Sequence, residues 1–295
     1  MTLNILILIT ILCWGIWGIF DKKALDRASP QDVMLIMYLL YIPQMPVLFV
    51  LLNYLVPGWH LTAELLFWTF LITFTYTVAM VAYLLAMSKA EASYVLGITA
   101  SYPVVLQVLA VFLLNETLVV SRLLGSALIG LGVAAIGGSK KESRQAVPKQ
   151  ENMLMILCVA LATLCWGING IFGKKAVTIA HPLEVFFGQC LWEPVFLVLV
   201  FCLFRAQGHR WRLNNRKTWL FCSLSALSLC IGALAYLNAL SMSTASYVIV
   251  ITGCYPLLMY LFALFVLGEQ FNRVRLGGIA LVVIGGILVQ YTQSL

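Results

Sequence analysis

LCWGIWGIFDKKA (residues 12–24) and LCWGINGIFGKKA (residues 164–176) decide the fold of this chain. The two stretches differ only at Trp17/Asn169 and Asp21/Gly173, and they stand 152 residues apart in a chain of 295. So much identity at half the chain length marks a duplication, with each copy opening its half. Each copy closes an apolar run, so each reads as the far end of a first membrane helix. The shared tryptophan and glycines predict matching surfaces that meet.

Working outward, the sequence is 62% hydrophobic and 10% charged, where a soluble domain is about a quarter charged. Met1–Phe20, Leu65–Ser88, Ala92–Asn115 and Asn152–Gly173 are each long enough to cross a bilayer core, which takes about 20 apolar residues. Thr218–Gly268 carries no charge and has room for two crossings. The period-two alternation of a membrane barrel is absent, so backbone polar groups must be satisfied inside helices. The first segment lacks a basic start and a small-residue cleavage site and reads as retained. The eight cysteines sit in apolar segments without a Cys-x-x-Cys and read as small buried hydrophobes. The net charge of +7 is confined to loops. In a membrane protein it sets orientation and implies no nucleic acid.

The reading is therefore all-α and integral to the membrane, with ten transmembrane helices. Those of the first half fall near 3–20, 32–52, 64–88, 92–114 and 121–138; those of the second fall near 153–172, 183–204, 217–240, 245–267 and 273–292. Residues 1–138 and 153–295 form two five-helix repeats joined by a charged linker, 139–152. The correspondence runs to the end of each half: Ala92-Ser-Tyr-Val95 with Ala245-Ser-Tyr-Val248, Tyr102-Pro103 with Tyr255-Pro256, Glu116 with Glu269, Arg122 with Arg275, and Gly125 and Gly132 with Gly278 and Gly285. Five crossings per half reverse the direction of the second. Such inverted repeats are the architecture of alternating-access transporters, with a site at the repeat interface. Fifteen of the 18 lysines and arginines fall on the linker side and three (Arg122, Lys174, Lys175) on the other. The positive-inside rule puts the linker in the cytoplasm and both termini outside.

The ordered set of Trp14-Gly15 and Trp166-Gly167, of Pro103 to Glu116 and Pro256 to Glu269, and of Leu267-Gly-Glu269 with glycine-rich closing helices resembles the drug/metabolite transporter superfamily, specifically its ten-helix EamA-type members. The resemblance covers the whole chain. It implies a secondary transporter of small metabolites in the plasma (bacterial inner) membrane, with a central cavity between the halves. Small multidrug relatives carry a coupling glutamate in the first helix. The aligned Leu-Cys-Trp-Gly has none, so that device is not carried over. The resemblance also implies cytoplasmic termini, against the charge count.

Glu193 is the sharpest single signal, the one charge between Glu184 and Arg205. A carboxyl at a helix centre costs about 3 kcal/mol on insertion scales and usually faces a cavity or partner. It is expected to bind a cationic group or a coupling proton, with Pro194 kinking the helix beside it. Its repeat mate is Tyr41. Trp14, Trp17, Trp166, Trp192, Tyr41, Tyr83, Tyr102, Tyr236 and Tyr255 are aromatic candidates for the same cavity, with Asn169, Gln44, Gln107, Gln189 and Asn238 as amides. Aromatic faces beside one carboxylate suit an organic cation. The alternative for each ring is lipid packing or interface anchoring. Pro103 and Pro256 are expected to kink each fourth helix as paired hinges that gate access. Glu91, Glu116 and Glu269 read as carboxylates at helix starts. Lys22, Lys23, Lys174 and Lys175 read as anchors snorkelling to headgroups.

The leading function is thus a secondary active transporter of an amino acid, amine or similar metabolite. Its expected partners are the small molecule, a coupling proton or ion and the bilayer, with a homodimer as an open arrangement. No cofactor or metal is expected, and no P-loop is present. The alternatives are a flippase for a lipid-linked headgroup and a membrane-embedded lipid-modifying enzyme. Against the latter, the three histidines are scattered in loops, without the clustered acid, base or metal set such chemistry uses.

Overall fold

The computed structural model describes residues 2–90, 92–99, 101–115, 119–138, 149–268 and 272–291. Among these residues the regular structure is all helical. The first half holds α1 (Thr2–Leu25), α2 (Pro30–Tyr41), α3 (Gln44–Leu55), α4 (Ala63–Lys89), α5 (Ala92–Thr99), α6 (Tyr102–Leu113) and α7 (Val120–Gly138). The second holds α8 (Lys149–Ile179), α9 (Pro182–Ala206), α10 (Arg216–Met242), α11 (Ala245–Thr252), α12 (Tyr255–Phe262), which continues as a π-helical turn Ala263–Leu267, and α13 (Arg273–Tyr291). Seven stretches are long and apolar enough to span by themselves, α2 with α3 and α11 with α12 each counting as one. The α5–α6 pair, α7 and α13 complete ten crossings. With 19 residues each, α7 and α13 reach about 28 Å at 1.5 Å per residue, close to the thickness of a hydrocarbon core.

Local chemistry sets the helix ends. Ser29 and Thr62 each cap a start through the side-chain oxygen, accepting from Asp32 N and Leu65 N. His181 and Glu184 form a reciprocal capping box at α9, and Asn215 caps α10. Such caps satisfy donors that the first helical turn leaves unpaired.

Three crossings are broken. The fourth crossing of each half stops before Tyr-Pro and restarts with proline in the first turn, at Tyr102-Pro103 and at Tyr255-Pro256. Proline cannot supply the N–H that a continuous helix needs there. The third break, at Ile42–Pro43, divides α2 from α3. The seventh crossing, α9, runs unbroken through Pro194. The interruption belongs to the mate crossing in the first half, where proline stands one position further along.

The duplicated stretch lies within long helices rather than at their ends. α1 continues to Leu25 and α8 to Ile179, and α8 begins at Lys149, inside the segment expected to be linker. The repeats interlock crosswise: α1 packs on α10 and α12, and α8 on the equivalent α4 and α6. Each Trp-Gly meets the broken fourth crossing of the other half. A Cβ on Gly15 would stand 2.8 Å from Leu258 Cβ, and one on Gly167 3.0 Å from Val105 Cγ1. The closing helices α7 and α13 also cross on glycine. Gly125 packs against Gly285 and Gly132 against Gly278, each too tightly for a Cβ, the small-residue packing that brings membrane helices close.

Lys22 and Lys174 correct the snorkelling expectation. Lys22 Nζ donates to the carbonyls of Met87 and Ala90, both at 3.0 Å. Lys174 Nζ donates to Leu240 and Ser243, both at 2.7 Å. Each lysine turns inward and caps the C-terminus of the helix beside it, α4 or α10, where carbonyls lack helical partners and the helix dipole favours a cation. Glu91, Glu116, Glu269 and residues 139–148 of the linker lie outside the described residues.

Candidate functional site

A cavity of about 150 Å³ lies between the two halves. A space of that order holds a benzene-sized ring. Its walls come from α1, α2–α3, α4, α6, α8, α9, α10 and α12. On α8 and α10, which run away from the linker face, the lining falls in the later half of each helix (Trp166, Asn169 and Gly173; Leu229 to Leu237). On α9, which runs toward that face, it falls in the first half (Phe186, Gln189 and Glu193). On α1, which also runs toward that face, it falls in the later half (Trp14 and Trp17), and Tyr41, Gln44, Tyr102 and Tyr255 sit near the middle of their crossings, so the cavity lies near the centre of the bundle.

Of the residues singled out in the sequence, Glu193, Trp14, Trp17, Trp166, Asn169, Tyr41, Tyr102, Tyr236 and Tyr255 line this cavity, as do Gln44 and Gln189. Two aromatic candidates do not. Tyr83 is fully buried behind the wall, its ring 5.2 Å from Trp17 and 5.4 Å from Trp166. Trp192 turns away from Glu193, donates to Leu66 O at 3.2 Å and packs edge-on to Phe70. Adjacent helical positions point about 100° apart, so Glu193 and Trp192 cannot serve the same wall. Gln107 is bonded to Ser126 and Asn238 to Leu234 O, and neither reaches the cavity. Pro103 and Pro256 stand at the helix breaks, outside the lining.

Glu193 is the one charged residue in the lining. Its Oε2 is buried and has no hydrogen-bond partner. An acceptor left so is costly, and the unmet valence faces a space a donor could enter. Tyr41 and Tyr76 pair through their hydroxyls at 3.0 Å, and Tyr38 is bonded to Thr77; this hydroxyl layer belongs to α2 and α4. Asn169 Nδ2 donates to Ile72 O at 2.7 Å and Thr75 Oγ1 at 3.0 Å, fixing the amide to the first half. The aromatic wall is contiguous. Trp14 lies 5.1 Å from Tyr236 and 6.0 Å edge-on from Tyr255, and Trp17 lies 5.9 Å edge-on from Trp166 and 6.0 Å from Tyr255. One acidic group against several ring faces suits a cation.

Glu193 is not the only acid inside the membrane. Asp21 is fully buried, and its Oδ1 accepts from Ser225 Oγ at 2.6 Å. In the sequence it stands beside Lys22 and Lys23, which read as interface anchors. The usable signal was the substitution itself, an acid where the other copy has Gly173. Asp32 and Glu184, repeat mates at the starts of α2 and α9, also escaped notice. Asp32 Oδ1 accepts from Arg212 N at 3.1 Å and is paired with His209 Nε2 at 3.1 Å. Glu184 accepts from His60 N at 3.1 Å and His181 N at 2.7 Å. Each buried carboxylate ties its own half to a loop of the other half. The first tie lies on the linker face and the second on the opposite face.

One solved protein, titled only "Crystal structure of protein", superposes with a TM-score of 0.73 over 98% of this chain and 96% of its own, at 15% identity, a likeness of fold. No curated protein matches the chain. The profile of the EamA-like transporter family matches twice, over residues 1–138 and 153–291. With both matches in tandem and nearly the whole chain covered, this protein belongs to the EamA-like transporter family.

Proposed function

We propose that this chain is a secondary active transporter that moves a small organic amine by alternating access, with the central cavity as its substrate site. The observation that carries the reading is Glu193 Oε2, buried and unpartnered on the wall of an otherwise uncharged, ring-lined cavity. A primary or secondary ammonium supplies the missing donor in a charge-assisted bond, and the indole and phenol faces of Trp14, Trp17, Tyr236 and Tyr255 stabilise its charge and its apolar body. A carboxylate substrate would face Glu193 with no basic side chain in the lining to offset the repulsion.

The Asp32 and Glu184 ties suit the alternation. They are equivalent in the repeat, join the two halves and lie on opposite faces. Breaking one while keeping the other tilts the halves open on one side, the rocking expected of inverted repeats. The positive-inside count supports a cytoplasmic linker face.

The test is a thermal-shift comparison of purified wild type and Glu193→Gln with phenethylamine, phenethyl alcohol and phenylacetate. A ligand of the folded state alone raises the melting temperature. Stabilisation by phenethylamine only, lost in Glu193→Gln, is expected. Equal stabilisation by the alcohol, or survival in the variant, would move recognition to the rings and refute the amine reading.

A further inference from the structure

Asp21 stands where the cavity ends. Along α1 the order is Trp14 and Trp17 on the cavity wall, then Asp21 one turn deeper toward the linker face, then the inward cap Lys22. Asp21 does not line the cavity; Trp17, which lines it, also interacts with the Asp21 carboxylate. Three polar atoms meet there: the donors Trp17 Nε1 and Tyr83 OH lie close enough to interact with the Asp21 carboxylate, yet neither they nor Asp21 Oδ2 reach full hydrogen-bond geometry. All three residues are buried. Orphaned buried polar groups are rare and call for an occupant or a function.

The donor set narrows the occupant. An indole N–H only donates and repels a metal cation, so this is no alkali-ion site. Among the described residues, Ser225 of α10 bonds to Asp21, Tyr83 of α4 interacts with its carboxylate, and Cys222 of α10, Tyr76 of α4 and Tyr41 of α2 lie within electrostatic range. Lys22 is engaged with the α4 carbonyls, while Lys23 and Arg27 lie over the Phe221 ring. Tyr41 and Tyr76, bonded to each other, lie within electrostatic range of both Asp21 and Glu193, so the two acids are linked through one hydroxyl pair.

We propose that Asp21 is a proton-binding site of the transporter, outside the cavity lining, and that its loading couples substrate movement to a proton gradient. One proton binds at Oδ2 from water on one face and returns to water on the other; no other bond changes. A proton at Oδ2 would neutralise a fully buried carboxylate, and removing the charge at Asp21 would alter the field at Tyr41 and Tyr76, hence at Glu193. Coupling of one site by charge at another needs only such a difference in interaction between states.

The test has two arms. The first needs no substrate: infrared difference spectra of purified protein across a pH series, in wild type, Glu193→Gln, Asp21→Asn and Ser225→Ala. A protonated-carboxyl stretch that varies with pH is expected in wild type and Glu193→Gln, and a component of it should vanish in Asp21→Asn. Ser225→Ala keeps the carboxyl and should move that component to higher frequency, so the assignment holds even if Asp21→Asn folds poorly. Spectra indifferent to both changes overturn the site.

The second arm uses proteoliposomes with labelled phenethylamine and so rests on the amine reading. Asp21→Asn should lose gradient-driven accumulation at least tenfold more than it loses exchange at equal pH. Equal loss of both, or undiminished accumulation, overturns coupling. Absence of any phenethylamine uptake by wild type refutes the amine reading, and the infrared arm then decides the Asp21 site.

Discussion

In the first half, position 21 is an aspartate held between Ser225 and the Trp17 and Tyr83 side chains; in the second, position 173 is a glycine on the cavity wall, where an added Cβ would find Leu240 Cδ1 at 3.6 Å and no closer atom. One turn earlier, Trp17 is buried, while Asn169 bridges to the α4 backbone. On the central crossing, Glu193 faces the cavity opposite the hydroxyl layer to which its mate Tyr41 belongs. Against these differences, the Trp-Gly packing, the inward lysines and the glycine crossing of α7 with α13 recur in both halves. Duplication has been kept where helices approach and where lysines or carboxylates tie helix ends and loops, and abandoned around the cavity and at Asp21. In the mechanism proposed above, the symmetric scaffold supplies two equivalent access states and the asymmetric interior one substrate site and one acid outside it.

The sharpest way to break this contrast is at Glu193 and its mate. Glu193→Gln should weaken phenethylamine binding on the order of a hundredfold, the loss of a buried charge-assisted bond of about 3 kcal/mol. Tyr41→Phe, which removes one hydroxyl of a neutral pair, should weaken it by tenfold or less, near 1 kcal/mol. Isothermal titration of both variants checks the ordering; equal losses would make the two positions alike in role.

The scaffold can be compared with itself. Gly15→Ala places a Cβ 2.8 Å from the Leu258 Cβ, which is anchored to the backbone, whereas Gly167→Ala meets Val105 Cγ1 at 3.0 Å. Overpacking should cost about 2 kcal/mol at the first and about 1 kcal/mol at the second, read as thermal midpoints in detergent. A larger loss at Gly167 would reverse the reading of which junction is tighter.

The two ties should fail in opposite directions. Asp32→Ala frees the linker face and should make buried Cys222, in the linker-side part of α10, reactive toward a water-soluble maleimide. Glu184→Ala should do the same for buried Cys190, near the other face. Each loss should also cost about 1–2 kcal/mol, because it strands the donors of a buried acceptor. Peptide mapping by mass spectrometry gives the site of labelling. Both cysteines reacting in both variants would show that the ties do not act face by face.

The smallest effect is a gain. Gly173→Asp adds a carboxylate to the cavity wall at a position with room for a Cβ. Phenethylamine affinity should rise by a few-fold, about 1 kcal/mol for a second charge at partly solvated distance, measured in the same titration. No gain would place the bound ammonium away from α8.

The ten crossings, the reversal of the second half and the paired Tyr-Pro breaks were legible in the sequence, because they follow from properties that act along the chain. Apolar length sets whether a segment spans, an odd number of spans sets direction, and proline removes its own N–H wherever it stands. Glu193 was legible for the same reason, since a charge at mid-helix is visible without knowing its neighbours. Only the tertiary structure decided what lay across from what. It turned Trp192 and Tyr83 out of the cavity, brought Lys22 and Lys174 inward onto helix ends, placed a break at Ile42–Pro43 while α9 passed intact through Pro194, and buried Asp21, Asp32 and Glu184. A carboxylate beside two lysines near a helix end reads as interfacial from sequence. What buries Asp21 is the approach of α4 and α10, and the energy of a charge or a donor depends on those neighbours, which lie 62 and 204 residues away at Tyr83 and Ser225.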